Sequence, residues 1–413
     1  MEMARETKTA TLAAVAVSAA AVLGVAAMLA RRKRGREEVK RFVKFKDVAG
    51  DAENPSRNVL AVDCEARKVE NCLTHHRCAF KLKPAAIRGD SSTDLVLEAL
   101  RQNHEILDRA DFVTCNHFDI DAFTCVLALV SPRERVLANE AVFRETARIG
   151  DFRELDIERL KAGDENVRRG LELCCFLNTL ERREFARPFE DGSDPLKWDM
   201  FLEDPRVWDI IEGRGHLHRD ADWGQEFDRV LSDCASIRRV QHFPDLGLVV
   251  IEAPEPVHYY ALFSGNPEDV VLALYDGNRY ELEQRYSTYV ELCSRPVLPR
   301  VCLTHLAKML SKLTGESWHA NRFTDSGPLM RIDKPEKNLN KAERYGHPYE
   351  RPIYASKLDA DQMLRAVQAY LTFGLDNAGI TGPVPAQDLS WSKLHELNGS
   401  IDWSNLALEP IAA

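Results

Sequence analysis

The chain has 413 residues, of which 45% are hydrophobic and 29% are charged, and its formal net charge is −10. This length allows more than one domain with its own core, and the composition excludes a largely disordered chain. The acidic balance argues against extensive nucleic-acid binding, which depends on clustered lysine and arginine, but it allows a local basic pocket for a small phosphorylated substrate.

The first predicted element is a membrane anchor within residues 1–45. Residues 9–30 are uncharged and rich in alanine and valine, and a basic cluster follows at residues 31–36. Such a stretch is long enough to cross a bilayer as one helix. The positive-inside rule then predicts a single-pass anchor with the globular part facing the cytosol, at an endomembrane or an organelle outer envelope. A buried helix or a transit peptide is the alternative. Residues 36–56 are predicted to be a juxtamembrane linker.

The ten cysteines are scattered and include no Cys-x-x-Cys pair. This pattern indicates free thiols in a reducing compartment rather than a disulfide framework. Cys72 and Cys78 flank His75 and His76, a spacing that matches no standard zinc ligand set.

An α/β domain is predicted over residues 46–232. Asn58–Asp63 and Asp111–Asn116 have the apolar character of buried strands, and Thr93–Leu107 has helical periodicity. Alternation of short apolar strands with helices predicts a parallel sheet covered on both faces. Asp63 then lies at the sheet edge where the second strand ends, and it either joins a site there or caps a turn.

The second of these strands leads directly into a candidate metal site. Asn116-His117-Phe118-Asp119-Ile120-Asp121 places an imidazole and two carboxylates at alternate positions before the apolar stretch 122–130. In extended backbone, side chains two residues apart point the same way, so His117, Asp119 and Asp121 are predicted to converge. Nitrogen and oxygen ligands of this kind suit Mn²⁺ or Mg²⁺. The alternative is a loop in which Asp119 or Asp121 caps the following helix.

This motif resembles the opening motif of the DHH (Asp-His-His) phosphoesterase superfamily, and it resembles still more closely an uncharacterised plant and bacterial family associated with the same fold. Further stretches that resemble that family occur between residues 59 and 331: Leu73–His76, Asp90–Thr93, Ile149–Phe152, Tyr280–Tyr286 and Trp318–Asp325. The resemblance implies a catalytic α/β domain facing a smaller domain that supplies substrate-binding groups. It also implies that Asp151, after Gly150, is a metal ligand; a turn carboxylate is the alternative.

The chain departs from the superfamily at one important point. It has no Asp-His-His downstream of the first motif, and its His75-His76 pair precedes that motif. We therefore carry two hypotheses forward. The first is a membrane-tethered, metal-dependent phosphoester or phosphoanhydride hydrolase in which His117, Asp119 and Asp121 are catalytic and, with Asp151, hold Mn²⁺ or Mg²⁺. The second is a catalytically inactive scaffold or ligand-binding module at a membrane.

The period changes from helical to alternating after residue 237, which predicts a smaller, antiparallel β-rich domain over residues 233–331. Its predicted strands are 240–243, 248–252, 259–263, 270–275 and 280–286, followed by a helix at 300–313. Residues 332–413 are predicted to be an extension, with an exposed connector to residue 355, one helix at 357–373 and a loose tail. In DHH-type enzymes the second domain binds substrate, and the candidates here are Arg285, Arg295, Arg300, His319 and Arg322.

Overall fold

The computed structural model describes residues 39–51, 53–77, 86–185, 194–333 and 346–408. In these ranges no helix combines the length and the apolar character needed to cross a membrane. The predicted anchor at residues 9–30 lies outside the described residues.

The α/β part is built on a parallel sheet, as the sequence predicts. Its strand order is β1–β4–β2–β3, and every neighbouring pair is parallel. The strands are β1 (Arg41–Phe42), β2 (Ser56–Val62), β3 (Val69–Leu73) and β4 (Phe112–Thr114). The predicted linker is therefore corrected: β1 pairs with β4, and the buried Lys40 ammonium donates to the carbonyl of Leu107 at 2.6 Å, so the fold begins before residue 46.

Helices cover this sheet. They are α1 (Ser92–Gln102), α2 (Ile120–Leu129), α3 (Arg133–Ala138), α4 (Glu140–Phe152), α5 (Ile157–Lys161), α6 (Glu165–Glu184), α7 (Asp194–Glu203), α8 (Pro205–Ile211) and α9 (Gly224–Ser236). A capping box fixes the start of α1, because Ser91 and Asp94 exchange side-chain to backbone hydrogen bonds. The α1 helix ends at Gln102 rather than at residue 107, since Asn103 adopts a left-handed conformation with φ of 51°.

The sequence has helical periodicity over Val136–Ile149 and predicts that Gly150 ends this helix, but the helix does not end there. Gly150 lies inside α4, which continues to Phe152 and ends where Arg153 takes a left-handed conformation with φ of 58°. A Cβ atom at Gly150 would lie 2.3 Å from Cγ2 of Ile120, so glycine is required here for close packing. This contact brings the last turn of α4, with Asp151, against the segment that follows β4.

A second sheet has the order β5–β6–β7–β8–β10–β9. Its strands are β5 (Arg239–Phe243), β6 (Leu248–Ala253), β7 (Val270–Tyr275), β8 (Arg279–Gln284), β9 (Trp318–Ala320) and β10 (Leu329–Ile332). The predicted antiparallel sheet is mixed, because β6 and β7 are parallel. The stretch predicted as a strand at 259–263 is a short helix, α10 (Tyr259–Leu262), whose first turn is capped by the His258 side chain. A short apolar run does not separate strand from helix by periodicity.

Alternating residues of β6 and β7 face two different cores. Val249, Ile251 and Ala273 belong to the core shared with the α/β part, whereas Val250 and Leu272 face the C-terminal helices. This period of two is the side-chain alternation of a strand. The second sheet is thus buried on both faces, and one continuous core joins it to the first.

The C-terminal segment is more ordered than the sequence predicts. Its helices are α11 (Leu303–Thr314), α12 (Ala360–Asn377) and α13 (Trp391–Gly399). The predicted exposed connector is partly buried where it is described, since His347 and Arg351 are buried and Arg351 pairs with Glu281 through two contacts of 2.8 Å. The predicted loose tail packs as well: the Arg77 guanidinium donates to the carbonyls of Ala386 and Leu389.

We expect the substitution Leu394→Ala to lower the free energy of unfolding by about 2–5 kcal/mol, the usual cost of truncating a buried leucine. The Leu394 side chain is fully buried in a cluster with Val290 and Val297. Thermal or urea unfolding of the full chain measures this effect. The neighbouring exposed Lys393 gives the control, Lys393→Ala. Equal stability of the two variants would contradict the packing of the tail.

Candidate metal centre

Acidic and imidazole side chains gather at the carboxyl edge of the parallel sheet. Asp63 follows β2, His75 and His76 follow β3, and the motif from Asn116 to Asp121 follows β4. Parallel strands place their carboxyl ends at one edge, where α/β folds usually build their sites. The last turn of α4 adds Asp151.

One group consists of Asp63, His117 and Asp119. Nε2 of His117 lies 3.0 Å from Oδ2 of Asp119 and 3.4 Å from Oδ2 of Asp63. Oδ1 of Asp119 accepts the backbone N–H of Ala122 at 2.8 Å and so caps α2. The two alternatives weighed for Asp119 are compatible, because one carboxylate oxygen caps the helix and the other faces His117.

A second group consists of His75, Asp121 and Asp151. Nε2 of His75 lies 3.8 Å from Oδ2 of Asp121, 3.5 Å from Oδ2 of Asp151 and 3.3 Å from Oδ1 of Asp63. Asp63 therefore turns one carboxylate oxygen to each group. His76 lies beside the same carboxylate, with Nε2 at 3.4 Å from Oδ1 of Asp63.

The three predicted ligands do not converge from an extended backbone, as their alternate spacing predicts. Asp121 lies in the first turn of α2, so the backbone is not extended through all three predicted ligands. The Asp121 carboxylate accepts the backbone N–H groups of Ser92 at 2.8 Å and Thr93 at 3.0 Å. His117 and Asp121 consequently belong to neighbouring groups rather than to one point.

Asp63 is held in a conformation that is rare for a residue other than glycine. Its φ is 50°, in the left-handed region, directly after the last residue of β2. The Ser92 hydroxyl donates to Oδ1 of Asp63 at 2.7 Å and accepts the backbone N–H of His75 at 3.1 Å. One hydroxyl thus ties the two loops together. Backbone strain of this kind is commonly found at functional sites.

Two imidazole rings are oriented by hydrogen bonds behind them. Nδ1 of His75 donates to the carbonyl of Asp90 at 2.8 Å, which leaves Nε2 facing the carboxylates. Nδ1 of His117 lies 2.8 Å from Oδ1 of Asn116, and Nε2 again faces the carboxylates. Histidines that bind metal are usually oriented in this way by a partner of the other ring nitrogen.

The carboxylates are crowded and buried. Burial, and then the nearby negative charges, raise the pKa of Asp151 well above its usual range and the pKa of Asp121 to about 7. Burial also opposes ionisation of Asp63, but the imidazoles of His76 and His117 outweigh it and hold its pKa well below the usual range. A cation bound between these carboxylates would favour their ionised form, so their raised pKa values are consistent with a metal site.

Several buried polar atoms of this site make no hydrogen bond within the described part of the chain: Oδ2 of Asp63, Nε2 of His75 and Oδ2 of Asp151. Buried polar atoms normally have partners, so these orphaned atoms fit a pair of cation positions linked by Asp63. The donors are carboxylate oxygen and imidazole nitrogen, the set that suits Mn²⁺ or Mg²⁺. The flanking Cys72 thiol points elsewhere and donates to the carbonyl of Cys64.

The site opens into a cavity of about 460 Å³, within the usual range of small-molecule sites. His76, His117, Asp119 and Asp151 line it, together with aromatic side chains and residues of the second half of the chain. A small ligand in this cavity can therefore reach His117 and Asp119 of the first group and Asp151 of the second.

The sequence from residue 38 to residue 379 matches a family of unknown function, DUF6687. The chain belongs to this family. No curated protein matches the chain, and no solved structure matches it. The DUF6687 match covers the parallel sheet, the second sheet and all seven acidic and imidazole residues of the site. The family description assigns no activity.

The predicted substrate-binding residues of this DUF6687 chain lie outside the lining of the cavity: Arg285, Arg295, Arg300, His319 and Arg322. Arg285 and Arg300 are buried, and their guanidiniums donate to backbone carbonyls, including that of Phe323 at 2.7 Å from Arg300. Arg295 pairs with Asp269 at 2.9 Å. The cations that do line the cavity are Arg153 and Lys197.

Sequence reasoning underrated Asp63 and missed His75 and His76. The signal was weak, because the strand Val69–Leu73, which ends just before Thr74-His75-His76, contains Glu70 and Asn71 and so is not an apolar run like the other two strands. His75 and His76 were not assigned as ligands because they precede the first motif, whereas the Asp-His-His of the superfamily follows it. Loops that follow parallel strands meet at one edge whatever their order in sequence.

Proposed function

We propose that this chain is a divalent-metal-dependent phosphoester hydrolase. The observation that carries the proposal is the buried Asp63 carboxylate, which faces His117 with one oxygen and His75 with the other, behind a cavity that His117 lines. His117, Asp119 and Asp63 would hold one Mn²⁺ or Mg²⁺, and Asp121, Asp151, His75 and Asp63 a second. When bound, such cations neutralise charge on a phosphoryl group and lower the pKa of a coordinated water molecule.

The resemblance to DHH phosphoesterases supports the same reading. This chain lacks the Asp-His-His motif of those enzymes, but Asp63, His75 and His76 form a spatial counterpart to it. The three side chains lie close together, although they precede the first motif in sequence. His76, between Asp63 and the hydroxyl of Tyr286 at 3.0 Å, faces the cavity and is suited to contact a phosphoryl oxygen. This counterpart supports the hydrolase over the alternative of a catalytically inactive scaffold.

The membrane tether remains part of the proposal. It rests on the apolar residues 9–30 and the basic cluster after them, with the catalytic part on the cytosolic side. The partner there is a small phosphorylated substrate rather than a nucleic acid.

We expect Mn²⁺ to stabilise the full chain after chelation and to switch on phosphoester hydrolysis. Binding at a hundredfold excess over Kd adds about 2.7 kcal/mol, which raises Tm by a few degrees. Differential scanning fluorimetry and a phosphatase and phosphodiesterase panel with Mn²⁺, Mg²⁺ and Ca²⁺ make the measurement. If neither Mn²⁺ nor Mg²⁺ changes Tm and no substrate is hydrolysed, the proposal is wrong.

A further inference from the structure

The cavity beside the candidate metal centre has largely aromatic walls. Six rings line it: Phe118, Phe152, Tyr259, Phe263, Tyr286 and Tyr289. Phe118, Phe152, Tyr259 and Phe263 are buried, and the half-buried Tyr286 and Tyr289 stack with their ring centroids 5.5 Å apart. Rings fixed in this way present apolar area to a ligand at little entropic cost.

Both cations of the cavity wall are already paired with carboxylates. Nη1 of Arg153 lies 2.9 Å from Oε1 of Glu283. Nζ of Lys197 lies 2.6 Å from Oε1 of Glu181 and 3.1 Å from Oδ1 of Asp194. Outside the metal centre, the described lining of the cavity therefore contains two cationic side chains and three carboxylates. Among the residues that the structure describes, this wall offers no excess positive charge for a second phosphate group.

The guanidinium of Arg153 has a further contact that favours an aromatic ligand. It lies over the rings of Tyr259 at 4.6 Å and Phe263 at 5.6 Å from their centroids. These distances are typical of cation–π contacts, which fix both rings. The hydroxyl of Tyr259 accepts a hydrogen bond from Asn178 at 3.2 Å, which holds this ring in place.

We propose that the substrate is a phosphate monoester of a small aromatic alcohol, with a single phosphoryl group at the metal centre and the ring against the aromatic wall. This inference rests on the proposed hydrolase function and narrows it. Pyrophosphate and inorganic polyphosphate are disfavoured, because their additional anionic groups would meet Glu181, Asp194 and Glu283. The reaction consumes one water molecule: its oxygen forms the new P–O bond, the ester P–O bond breaks, and the ester oxygen leaves as the protonated alcohol.

The test compares 2-phenylethyl phosphate with ethyl phosphate, which have similar alkyl leaving groups and differ in the ring. For the full chain with Mn²⁺, we expect kcat/KM to be about 10- to 100-fold higher for the phenylethyl ester, the discrimination expected from burying one ring. Pyrophosphate is the third substrate. Equal kcat/KM for the two esters, or a higher value for pyrophosphate, overturns the inference and leaves the hydrolase proposal intact.

Binding of phosphonates gives a readout that does not depend on turnover. We expect calorimetry with Mn²⁺ to give a Kd about 10- to 100-fold lower for 2-phenylethylphosphonate than for ethylphosphonate. In Phe263→Leu, which keeps an apolar side chain but removes a ring, this ratio falls; Tyr289→Leu provides a second variant at a half-buried position. If the phosphonates show this preference but no ester is hydrolysed, the ring site stands and the hydrolase proposal fails. Equal Kd values for the two phosphonates overturn the ring site.

Discussion

Replacing Asp63 by asparagine is expected to lower kcat/KM for metal-dependent hydrolysis by about 10³-fold or more, a loss of about 4 kcal/mol of transition-state stabilisation. Asp63 is the carboxylate that both groups share, so the change removes charge from both cation positions. Asparagine tolerates the left-handed backbone at this residue and can still accept the hydrogen bond from Ser92. The fold should therefore survive, which circular dichroism and thermal unfolding check.

Asp111→Asn is a matched control, since Asp111 is exposed at the opposite end of β4 and lies away from the site. It should retain the activity of the unmodified chain. Asp119→Asn gives a second loss-of-function variant, because asparagine is as good a helix cap as aspartate while the charge next to His117 is lost. Full Mn²⁺-dependent activity in folded Asp63→Asn would rule out a shared metal-binding carboxylate.

Mn²⁺ affinity is expected to fall by about 10-fold or more for each pH unit below about 7, because at least the proton of Asp121 must leave when the metal binds. Burial, and then the charge of Asp63, raise the pKa of Asp121 to about 7, and burial raises the pKa of Asp151 well above its usual range. Below about pH 7 the Asp121 carboxyl of the metal-free protein is mostly protonated, and burial also favours the protonated form of Asp151. Raising the pH removes the competing protons, so the sign is tighter binding at higher pH.

Isothermal titration calorimetry between about pH 5.5 and pH 8, in buffers of different ionisation enthalpy, measures both Kd and the protons released. A Kd that stays constant from about pH 5.5 to pH 7 would contradict the buried, protonated carboxyls. Asp94→Asn, at a partly exposed carboxyl that caps α1, serves as the control and should leave the pH dependence unchanged.

The parallel sheet and the location of its site were predictable from sequence. Two short apolar stretches, Asn58–Asp63 and Asp111–Asn116, correctly predict β2 and β4. The first ends in Asp63 and the second leads into the first motif, so both sets of polar residues lie at the same edge of the sheet. Pro244-Asp245-Leu246-Gly247 also has the composition of a turn, and in the structure it joins β5 to β6 with Gly247 in a left-handed conformation of φ 52°.

Other features depend on contacts that a sequence pattern does not contain. Gly150 looks like a helix end, yet the packing of Ile120 against it keeps α4 continuous and brings Asp151 to the site. Residues 259–263 look like a strand, yet the cap supplied by His258 starts a helical turn. The role of His75 became visible only in three dimensions, since β3 returns it to the edge occupied by Asp121.

The central claim is that the Asp63 carboxylate lies between two bound cations, one held together with His117 and the other together with His75, and anomalous diffraction from crystals of the chain grown with Mn²⁺ tests it most directly. We expect manganese peaks on both sides of the Asp63 carboxylate, one beside His117 and Asp119 and the other beside His75 and Asp151. A map from Mn²⁺-soaked crystals with no peak at this carboxylate, and with these side chains paired only to one another, would contradict it.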